Sequence, residues 1–425
     1  MTYPLMFRLK QTMHNSKIDD VPAAVEAELS KFNLGSKLKP GDSVAVACGD
    51  RFANQVAIIR AVVDHLKKLK TNPFVVPAIG SHFAATAEDQ RKVLHTLGIT
   101  EEAINAEIRS SMETEIIGLL PNGSPVSCDK QALHADHMMV VNLVDLHPIF
   151  HGDVQRGLLE MLAIGLAKLQ GTELYHRAIQ NSSFEDIARG VHKLMLKNGN
   201  LLAGLMILEN AHQCTVRIQA VLPDYFAEKE IAMLHRARGL FRQLPFKFID
   251  ILLVDEIGTA FGCLGADPNV TGRKYSAHAA VEGEFPHIRT VVYRDLNAKS
   301  RGDATGVGHA EFVRSQILRK TDAQATRLHS LAAGMPTLAA APIDYETDRE
   351  ILDAALTLTG LNSPEKARIV WIRNTSSLIE FECSEPYLEE VQHWKDLSVL
   401  TSLHALEFNA QGNLRDFVVE QSPGS

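Results

Sequence analysis

The chain has few cysteines, no long apolar run and no excess of positive charge. Its five cysteines are scattered and form no CxxC pair, which excludes the usual thiolate zinc sites and is typical of a reducing compartment. No apolar stretch reaches the roughly 18 residues of a membrane span, and the amino terminus has no signal-peptide pattern. The formal net charge of -8 argues against general affinity for nucleic acid or anionic membranes. These absences predict a cytoplasmic protein without a membrane or nucleic-acid partner.

The composition is that of a folded protein, with 45% hydrophobic and 22% charged residues. A chain of 425 residues is too long for one ordinary core, so two domains are expected. The turn-prone segment LPFKF places the boundary near Pro245. The prediction is an N-terminal domain, 1–245, that carries the reactive histidines. A second domain, 246–425, closes a cleft against it and has a C-terminal tail that is able to return to the first.

A short apolar strand, a glycine-containing loop and an amphipathic helix recur along the chain. This alternation is typical of an α/β fold with mainly parallel sheets and right-handed crossovers. The predicted strands are Ser43–Ala47, Phe74–Pro77, Met138–Leu143, Asp250–Asp255, His287–Tyr293 and Ala367–Ile372. Helices are predicted near Ala53–Lys70, Ala87–Leu97, Val154–Leu169 and Phe184–Lys197.

Four residues with reactive side chains follow the strands that are predicted in the first domain. In a parallel sheet the strand-to-helix loops emerge at one edge, and ligands bind there. We therefore expect these residues to share a single rim although they are far apart in sequence. They are Arg51, His82, His147 and His151.

The loop CGDR, which contains Asp50 and Arg51, precedes a predicted helix. A helix start offers N–H groups and a positive dipole end to an anion, and an arginine can clamp a phosphate or carboxylate through two hydrogen bonds. A tight turn with a surface Arg–Asp pair explains the same residues. The loop is not a P-loop, because the GxxxxGK[ST] spacing is absent.

The histidines of the rim are candidates for acid–base chemistry, because imidazole takes and returns protons near neutral pH. The sequence has 18 histidines, so a single one in a loop is also explained as a cap on backbone groups. Pro148 separates His147 from His151 and excludes a regular helical zinc pair. His176 follows the third helix, where it either folds back over the sheet edge or is ordinary surface.

The loop ADPNVTGRK of the second domain ends in Arg273 and Lys274. It is suited to close a basic end over a bound anion, and it is equally typical of a plain turn built on Asp-Pro-Asn and Thr-Gly. Placed against the rim of the first domain, it would complete a cleft between two α/β domains, which is a common ligand site.

Five segments match, in order, the pattern of a known family. They are VPAIGSHFAATAEDQRKVLHTLGITEE, IRSSME, HPIFHGDVQRGLLEMLAIGLAKLQG, VDEIG and DPNVTGR. Together they resemble the lactate racemase superfamily, and more closely its large branch of lactate-racemase-like proteins, over about residues 39 to 384. The GSH and DPNVTGR segments are fairly specific, whereas the short CGDR loop is not.

The resemblance implies two α/β domains with a nickel-pincer nucleotide in the cleft. This cofactor is a pyridinium mononucleotide whose ring carbon and two sulfurs bind nickel, with one protein histidine as a further ligand. The implied reaction takes hydride from the hydroxyl-bearing carbon of a small 2-hydroxy acid while a histidine takes the hydroxyl proton. Hydride then returns to the opposite face of the keto intermediate. Such an inversion needs one acid/base on each side of the substrate.

The resemblance also assigns roles to individual residues by motif. His82 and His147 are similar to the two acid/bases, and His176 is similar to the nickel ligand. The residues similar to those that contact the cofactor are Asp50, Arg51, Arg273 and Lys274.

One position departs from the family pattern. Racemases of this family carry a lysine, sixteen residues before the nickel-ligating histidine, that is joined to the cofactor through a thioamide. Here that position is Glu160. A carboxylate cannot make this bond, and Lys168, two turns further along, is not an obvious replacement. The departure predicts a cofactor that is not covalently tethered, a different substrate, or an altered or lost activity.

The sequence therefore predicts a racemase or epimerase of a small 2-hydroxy acid that uses a nickel-pincer nucleotide. Two alternatives stay open at this stage. One is a metal-dependent lyase or dehydratase in the same histidine-lined cleft, and the other is a non-catalytic protein that binds a nucleotide or an organic acid. An oligomer is compatible with the sequence, which does not name the substrate.

Overall fold

The computed structural model describes residues 1–13, 15–49, 51–80, 86–171, 182–262, 264–274 and 286–415. The strands in these ranges are β1 (Met6–Gln11), β2 (Ser43–Cys48), β3 (Asn72–Pro77), β4 (Thr114–Leu119), β5 (Pro125–Asp129), β6 (His137–Leu143), β7 (Leu201–Glu209), β8 (Thr215–Val221), β9 (Phe248–Ile257), β10 (His287–Leu296), β11 (Phe312–Arg314), β12 (Ile343–Tyr345), β13 (Ile369–Ile372), β14 (Glu380–Ser384) and β15 (Leu397–Val399). The helices are α1 (Val21–Leu29), α2 (Gln55–Lys68), α3 (Ala87–Thr96), α4 (Glu101–Ile104), α5 (Lys130–Leu133), α6 (Leu158–Glu160), α7 (Phe184–Asn198), α8 (Phe226–Leu240), α9 (Pro268–Thr271), α10 (Ser315–Lys320), α11 (Ala323–Ala332), α12 (Asp348–Leu358) and α13 (Leu388–Val391).

The chain divides into two compact units. The N-terminal unit is His14–Phe241, and the C-terminal unit is Arg242–Ser425 together with Met1–Met13. The predicted boundary near Pro245 lies close to this division, but the first thirteen residues were predicted to belong to the first domain. They leave it because β1 pairs with β14 and β15 of the C-terminal unit and buries its apolar side chains there. The predicted return of the C-terminal tail lies outside the described residues.

The sheet of the N-terminal unit has the strand order β3-β2-β6-β7-β8. All neighbouring pairs are parallel except β7 with β8. The strands are buried along nearly their whole length, which is typical of a parallel sheet covered on both faces. This arrangement confirms the predicted α/β fold, and it places the loops after β2, β3 and β6 at one edge.

The C-terminal unit is built on an eight-stranded sheet with the order β12-β11-β10-β9-β13-β14-β1-β15. The strands from β12 to β13 are parallel, and the last three pair in antiparallel fashion. The predicted strands Asp250–Asp255, His287–Tyr293 and Ala367–Ile372 correspond to β9, β10 and β13. This sheet is also mainly parallel, as the sequence predicted.

The predicted continuous helix Val154–Leu169 is wrong. The segment begins with the single turn α6 and continues as a π-helical turn over Met161–Gly165. A Cβ atom on Gly165 would lie 2.5 Å from the carbonyl oxygen of Ala78, so this turn packs directly against the loop that follows β3. Such π-helical turns are frequent at functional sites.

Most of the described cysteines are small core residues. Cys48, Cys128 and Cys383 are buried, and Cys214 is partly exposed, while Cys263 lies outside the described residues. Burial raises the pKa of the Cys48 and Cys128 thiols to about 12, so neither provides a thiolate at neutral pH. Among the helices listed above, none combines the length and the apolar character that a membrane crossing requires.

Candidate functional site

The carboxyl edge of the N-terminal sheet brings two of the predicted site residues to one rim. Arg51 follows β2 and His147 follows β6, and these strands are parallel neighbours. His151 lies in the same loop as His147. The other candidates of this unit, namely Asp50, His82 and His176, lie outside the described residues.

The imidazole of His147 is held in one orientation by its own loop. Its Nδ1 accepts hydrogen bonds from the backbone N–H groups of Ile149, at 3.0 Å, and Phe150, at 3.1 Å. The backbone N–H of His147 donates to the side chain of Gln155 at 2.9 Å. Because Nδ1 is an acceptor, the proton of the neutral ring is on Nε2.

The Nε2 atom of His147 faces the carboxylate of Glu160, with 3.6 Å between Nε2 and Oε1. Only 13% of the histidine side chain and 12% of the glutamate side chain are exposed. The ring of His147 stacks on Phe150, and Phe150 stacks on Phe184, with centroid distances of 3.8 and 3.7 Å. The residue at the position of the expected tether is therefore next to a proposed acid/base, in a largely apolar surrounding.

The start of α6, which carries Glu160, is fixed by two buried polar side chains. Asn142 of β6 donates to the carbonyl oxygen of Gly157 at 2.8 Å. The carboxyl of Glu230, on α8, accepts the backbone N–H of Leu159 at 3.0 Å. A side chain on Gly157 would collide with Glu230, so glycine allows this close approach. Burial raises the pKa of Glu230 to about 8 although the helix start favours its charged form.

Replacing Glu230 with Gln is expected to remove a pH-dependent cost to folding. The carboxyl ionises near 4.5 in the unfolded chain and near 8 in the folded one, so the free energy of unfolding falls as the pH rises through this window. Glutamine keeps an acceptor for the helix start and has no charge to bury. Between pH 5 and pH 8 the wild-type protein should lose on the order of a few kcal/mol more than Glu230→Gln, since one pKa unit corresponds to about 1.4 kcal/mol.

Chemical denaturation at the two pH values measures this difference. Glu228→Gln is the matched control, because Glu228 lies on the same helix with 67% of its side chain exposed. The control should follow the wild-type protein. Equal pH dependence in wild type and Glu230→Gln would contradict the assignment.

The start of α2 was predicted to bind an anion, and an internal carboxylate already uses part of it. Glu209, the last residue of β7, accepts the backbone N–H of Ala53. Burial raises the pKa of Glu209, while the Ala53 N–H and the charge of Arg51 act in the opposite direction. Residues of the first turn of α2, beginning at Gln55, line a cavity of about 490 Å³ together with Arg51 and Thr96. Arg51 itself is exposed.

Arg51→Ala is expected to weaken the binding of a mononucleotide at this cavity by about tenfold or more. A hydrogen bond to a charged group contributes about 1.5–3 kcal/mol, and about 1.4 kcal/mol corresponds to a factor of ten. Calorimetric titration with nicotinic acid mononucleotide compares the wild-type protein, the variant and the control Arg60→Ala, a half-buried arginine further along α2 that pairs with Asp64. An unchanged dissociation constant would assign Arg51 to the surface.

Arg273 has a structural role that argues against its predicted contact with a cofactor. Its side chain is 1% exposed and forms an ion pair with Glu311 at 3.0 Å. The guanidinium also donates to the carbonyl oxygens of Ile288, at 2.8 Å, and His309, at 3.2 Å. The charge is thus neutralised inside the C-terminal unit. Lys274 is also buried, at 3% exposure, and its predicted role stays a proposal.

The residues that the structure describes contain no cluster of three or more His, Cys, Asp or Glu side chains suited to a metal ion. His176, the predicted nickel ligand, lies outside the described ranges.

Known proteins resemble this chain in part of its sequence and in its fold. Residues 6–183 match the lactate racemase N-terminal domain. The lactate racemase apoprotein from Thermoanaerobacterium thermosaccharolyticum has the same fold, with a TM-score of 0.57 at 14% identity over 87% of this chain and 99% of that chain. Sequence similarity to the lactate racemase N-terminal domain thus covers residues 6–183, and similarity of fold to the lactate racemase apoprotein covers most of the chain.

A second solved structure, a structural genomics target from Thermotoga maritima, aligns with a TM-score of 0.47 at 13% identity. The alignment covers 77% of this chain and 85% of the Thermotoga maritima chain. No curated protein sequence shows a significant match.

The chain has a lysine near the expected tether position, and the structure gives that lysine another role. Lys168 is fully buried and pairs with Asp129 at 3.0 Å. Its ammonium group also donates to the carbonyl oxygen of Pro77 and to Gln90, and Gln90 in turn donates to the carbonyl oxygen of Ile79. Lys168 therefore holds the end of β3. Burial lowers its pKa, and the charge of Asp129 opposes that shift.

Three groups near the lactate racemase-like site were not predicted in their observed roles. Glu160 was noted only as a departure from the family pattern, and Glu209 and Glu230 were not noted at all. A carboxylate that caps a distant helix start has no local sequence signal, because its partner is set by the tertiary fold. The pairing of Glu160 with His147 has the same origin.

Proposed function

We propose that this chain is a racemase or epimerase of a small 2-hydroxy acid, and that it works with a nickel-pincer nucleotide. The observation that carries the proposal is the pair His147–Glu160 at the carboxyl edge of the sheet, in a segment that matches the lactate racemase N-terminal domain. An imidazole of fixed orientation beside a carboxylate is suited to bind a hydroxyl group and to move its proton.

The described residues fit the nucleotide end of such a cofactor. Arg51 and the start of α2 border a cavity of about 490 Å³, where N–H groups and a guanidinium favour a phosphate. Gly49 has no room for a side chain because the backbone of Ala78 lies against it. His176 is the proposed nickel ligand. A covalent tether does not fit, because Glu160 stands at its position and Lys168 is engaged in the core.

When bound, the nickel-pincer nucleotide supplies a centre that accepts and returns hydride. The chain's own residues bind and orient the substrate and handle its hydroxyl proton. His147 presents Nε2–H toward Glu160 on one side, and His82 is the proposed acid/base for the other. The stacked rings of Phe150 and Phe184 shield the His147 side from water, which strengthens its hydrogen bonds to a substrate.

Protein purified from its native host, or produced together with the cofactor pathway, tests the proposal. We expect about one nickel and one nucleotide per chain, and inversion of at least one 2-hydroxy acid when single enantiomers are followed by chiral chromatography. Denaturing mass spectrometry should give the unmodified chain mass, because the cofactor is not tethered. Protein that carries the cofactor and inverts no 2-hydroxy acid would contradict the proposal.

A further inference from the structure

The contacts of His147 restrict what its ring can do. Two backbone N–H groups point at Nδ1, from Ile149 and Phe150. Protonation of Nδ1 would replace both hydrogen bonds by contacts between two donors. The loop therefore favours the neutral ring, whose lone pair is used at Nδ1 and whose proton is on Nε2. In this state His147 donates a hydrogen bond and is not a proton acceptor.

The group that faces this donor is a carboxylate. The Oε1 atom of Glu160 lies 3.6 Å from Nε2, which is longer than a direct hydrogen bond. A hydroxyl oxygen placed against both atoms accepts the hydrogen bond from Nε2–H and donates its own proton to Oε1. Glu160 is kept in place by the start of α6, where Asn142 and Glu230 bind the backbone.

From this geometry we propose that Glu160 is the acid/base on this side of the substrate, with His147 as a neutral hydrogen-bond donor to the same hydroxyl oxygen. The proposal rests on the proposed function and deepens it. It also gives a role to the residue that stands where the family carries a tethering lysine.

The O–H bond of the 2-hydroxy acid breaks and its proton bonds to a carboxylate oxygen of Glu160. The electron pair of that bond forms the second bond of the carbonyl group as hydride leaves the carbon for the nickel-pincer class of cofactor. On return of hydride to the same face, the carbonyl oxygen takes the proton back from Glu160. On return to the opposite face it takes a proton from His82, the proposed acid/base of the other side, after which Glu160 releases its proton to water and His82 takes one up. His147 keeps its Nε2 proton throughout.

Substitutions at the two positions separate this assignment from catalysis by His147. Glu160→Gln removes the acceptor and should lower kcat by about 10²–10⁴-fold, the usual range for a general acid–base residue. Glu160→Asp should recover part of that loss. His147→Gln keeps a donor and also an acceptor for the two N–H groups, so it should lower kcat by less than about tenfold. Glu228→Gln, an exposed substitution on α8, should leave kcat unchanged.

A second readout does not depend on activity. Nitrogen-15 NMR of histidine-labelled protein, with the His147 signal assigned by its loss in His147→Gln, should show a neutral ring with its proton on Nε2 at pH 7. It should do so without substrate and in Glu160→Gln as well. Thermal melting and nucleotide content of each variant show whether the site is intact.

The possible results are distinct. The inference would be overturned, with the proposed function still standing, if Glu160→Gln stays active while His147→Gln lowers kcat by 10²-fold or more. An NMR spectrum that shows His147 as an imidazolium, or as a neutral ring with its proton on Nδ1, would also overturn it. A wild-type protein that holds the cofactor and inverts no 2-hydroxy acid would overturn the proposed function and this role with it.

Discussion

His176→Ala is expected to lose nickel, and to lose racemisation as a consequence. An imidazole that is bound directly to the metal cannot be removed without weakening the site, and the described residues offer no cluster of ligands that would replace it. Metal analysis per chain, measured alongside the rate of inversion, should show nickel near zero in this variant. The nucleotide should be retained in part, because Arg51 and the start of α2 are the proposed binding site of its phosphate end.

His82→Ala is the matched control for this loss. It should retain nickel and lower the rate by about 10²–10⁴-fold, because His82 is proposed to move a proton and not to bind the metal. Nickel that is retained by His176→Ala and lost by His82→Ala would exchange the two roles.

Lys168→Met is expected to destabilise the fold by about 3–5 kcal/mol, the usual cost of removing one partner of a buried ion pair. Asp129 would be left as a buried charge, since both side chains of the pair are fully buried. The variant also removes the hydrogen bonds to Pro77 and Gln90. The free energy of unfolding from chemical denaturation measures the loss.

Two controls belong with this variant. Lys130→Met breaks the ion pair with Glu113, whose two side chains are 41% exposed for Lys130 and 69% exposed for Glu113. It should lower the free energy of unfolding by less than about 1 kcal/mol. Lys168→Met combined with Asp129→Asn should recover part of the loss, because no buried charge remains and asparagine still caps α5 through its oxygen. If Lys168→Met costs no more than Lys130→Met, the buried pair does not stabilise the fold.

The parallel sheet of the N-terminal unit was predictable because its signals are local. Short runs of buried β-branched and small residues, each followed by a glycine-containing loop and an amphipathic helix, indicate parallel strands. The positions of Arg51 and His147 at one edge follow from that topology alone. The strand β1 was missed because its pairing with β14 and β15 joins segments more than 370 residues apart, and no local pattern reports such a contact.

The candidate site was predictable in residue type and not in arrangement. The sequence identified His147 as a reactive histidine, but the two N–H groups that fix its ring depend on how the loop after β6 folds. Arg273 lies in a motif that resembles the family's cofactor-binding segment, and the sequence does not reveal that Glu311 neutralises its charge. That ion pair is visible only in the fold. The change from α-helix to a π-helical turn after Glu160 was hidden because Leu158–Leu169 has the composition of a regular helix.

The fate of the hydrogen on the hydroxyl-bearing carbon tests the central claim most directly. A single enantiomer of a 2-hydroxy acid that the holoprotein inverts is prepared with deuterium on that carbon and incubated in ordinary water. Removal and return of hydride predicts that the inverted product keeps its deuterium. Replacement of the deuterium by solvent hydrogen in the inverted product, or formation of an unsaturated acid by loss of water, would contradict the account.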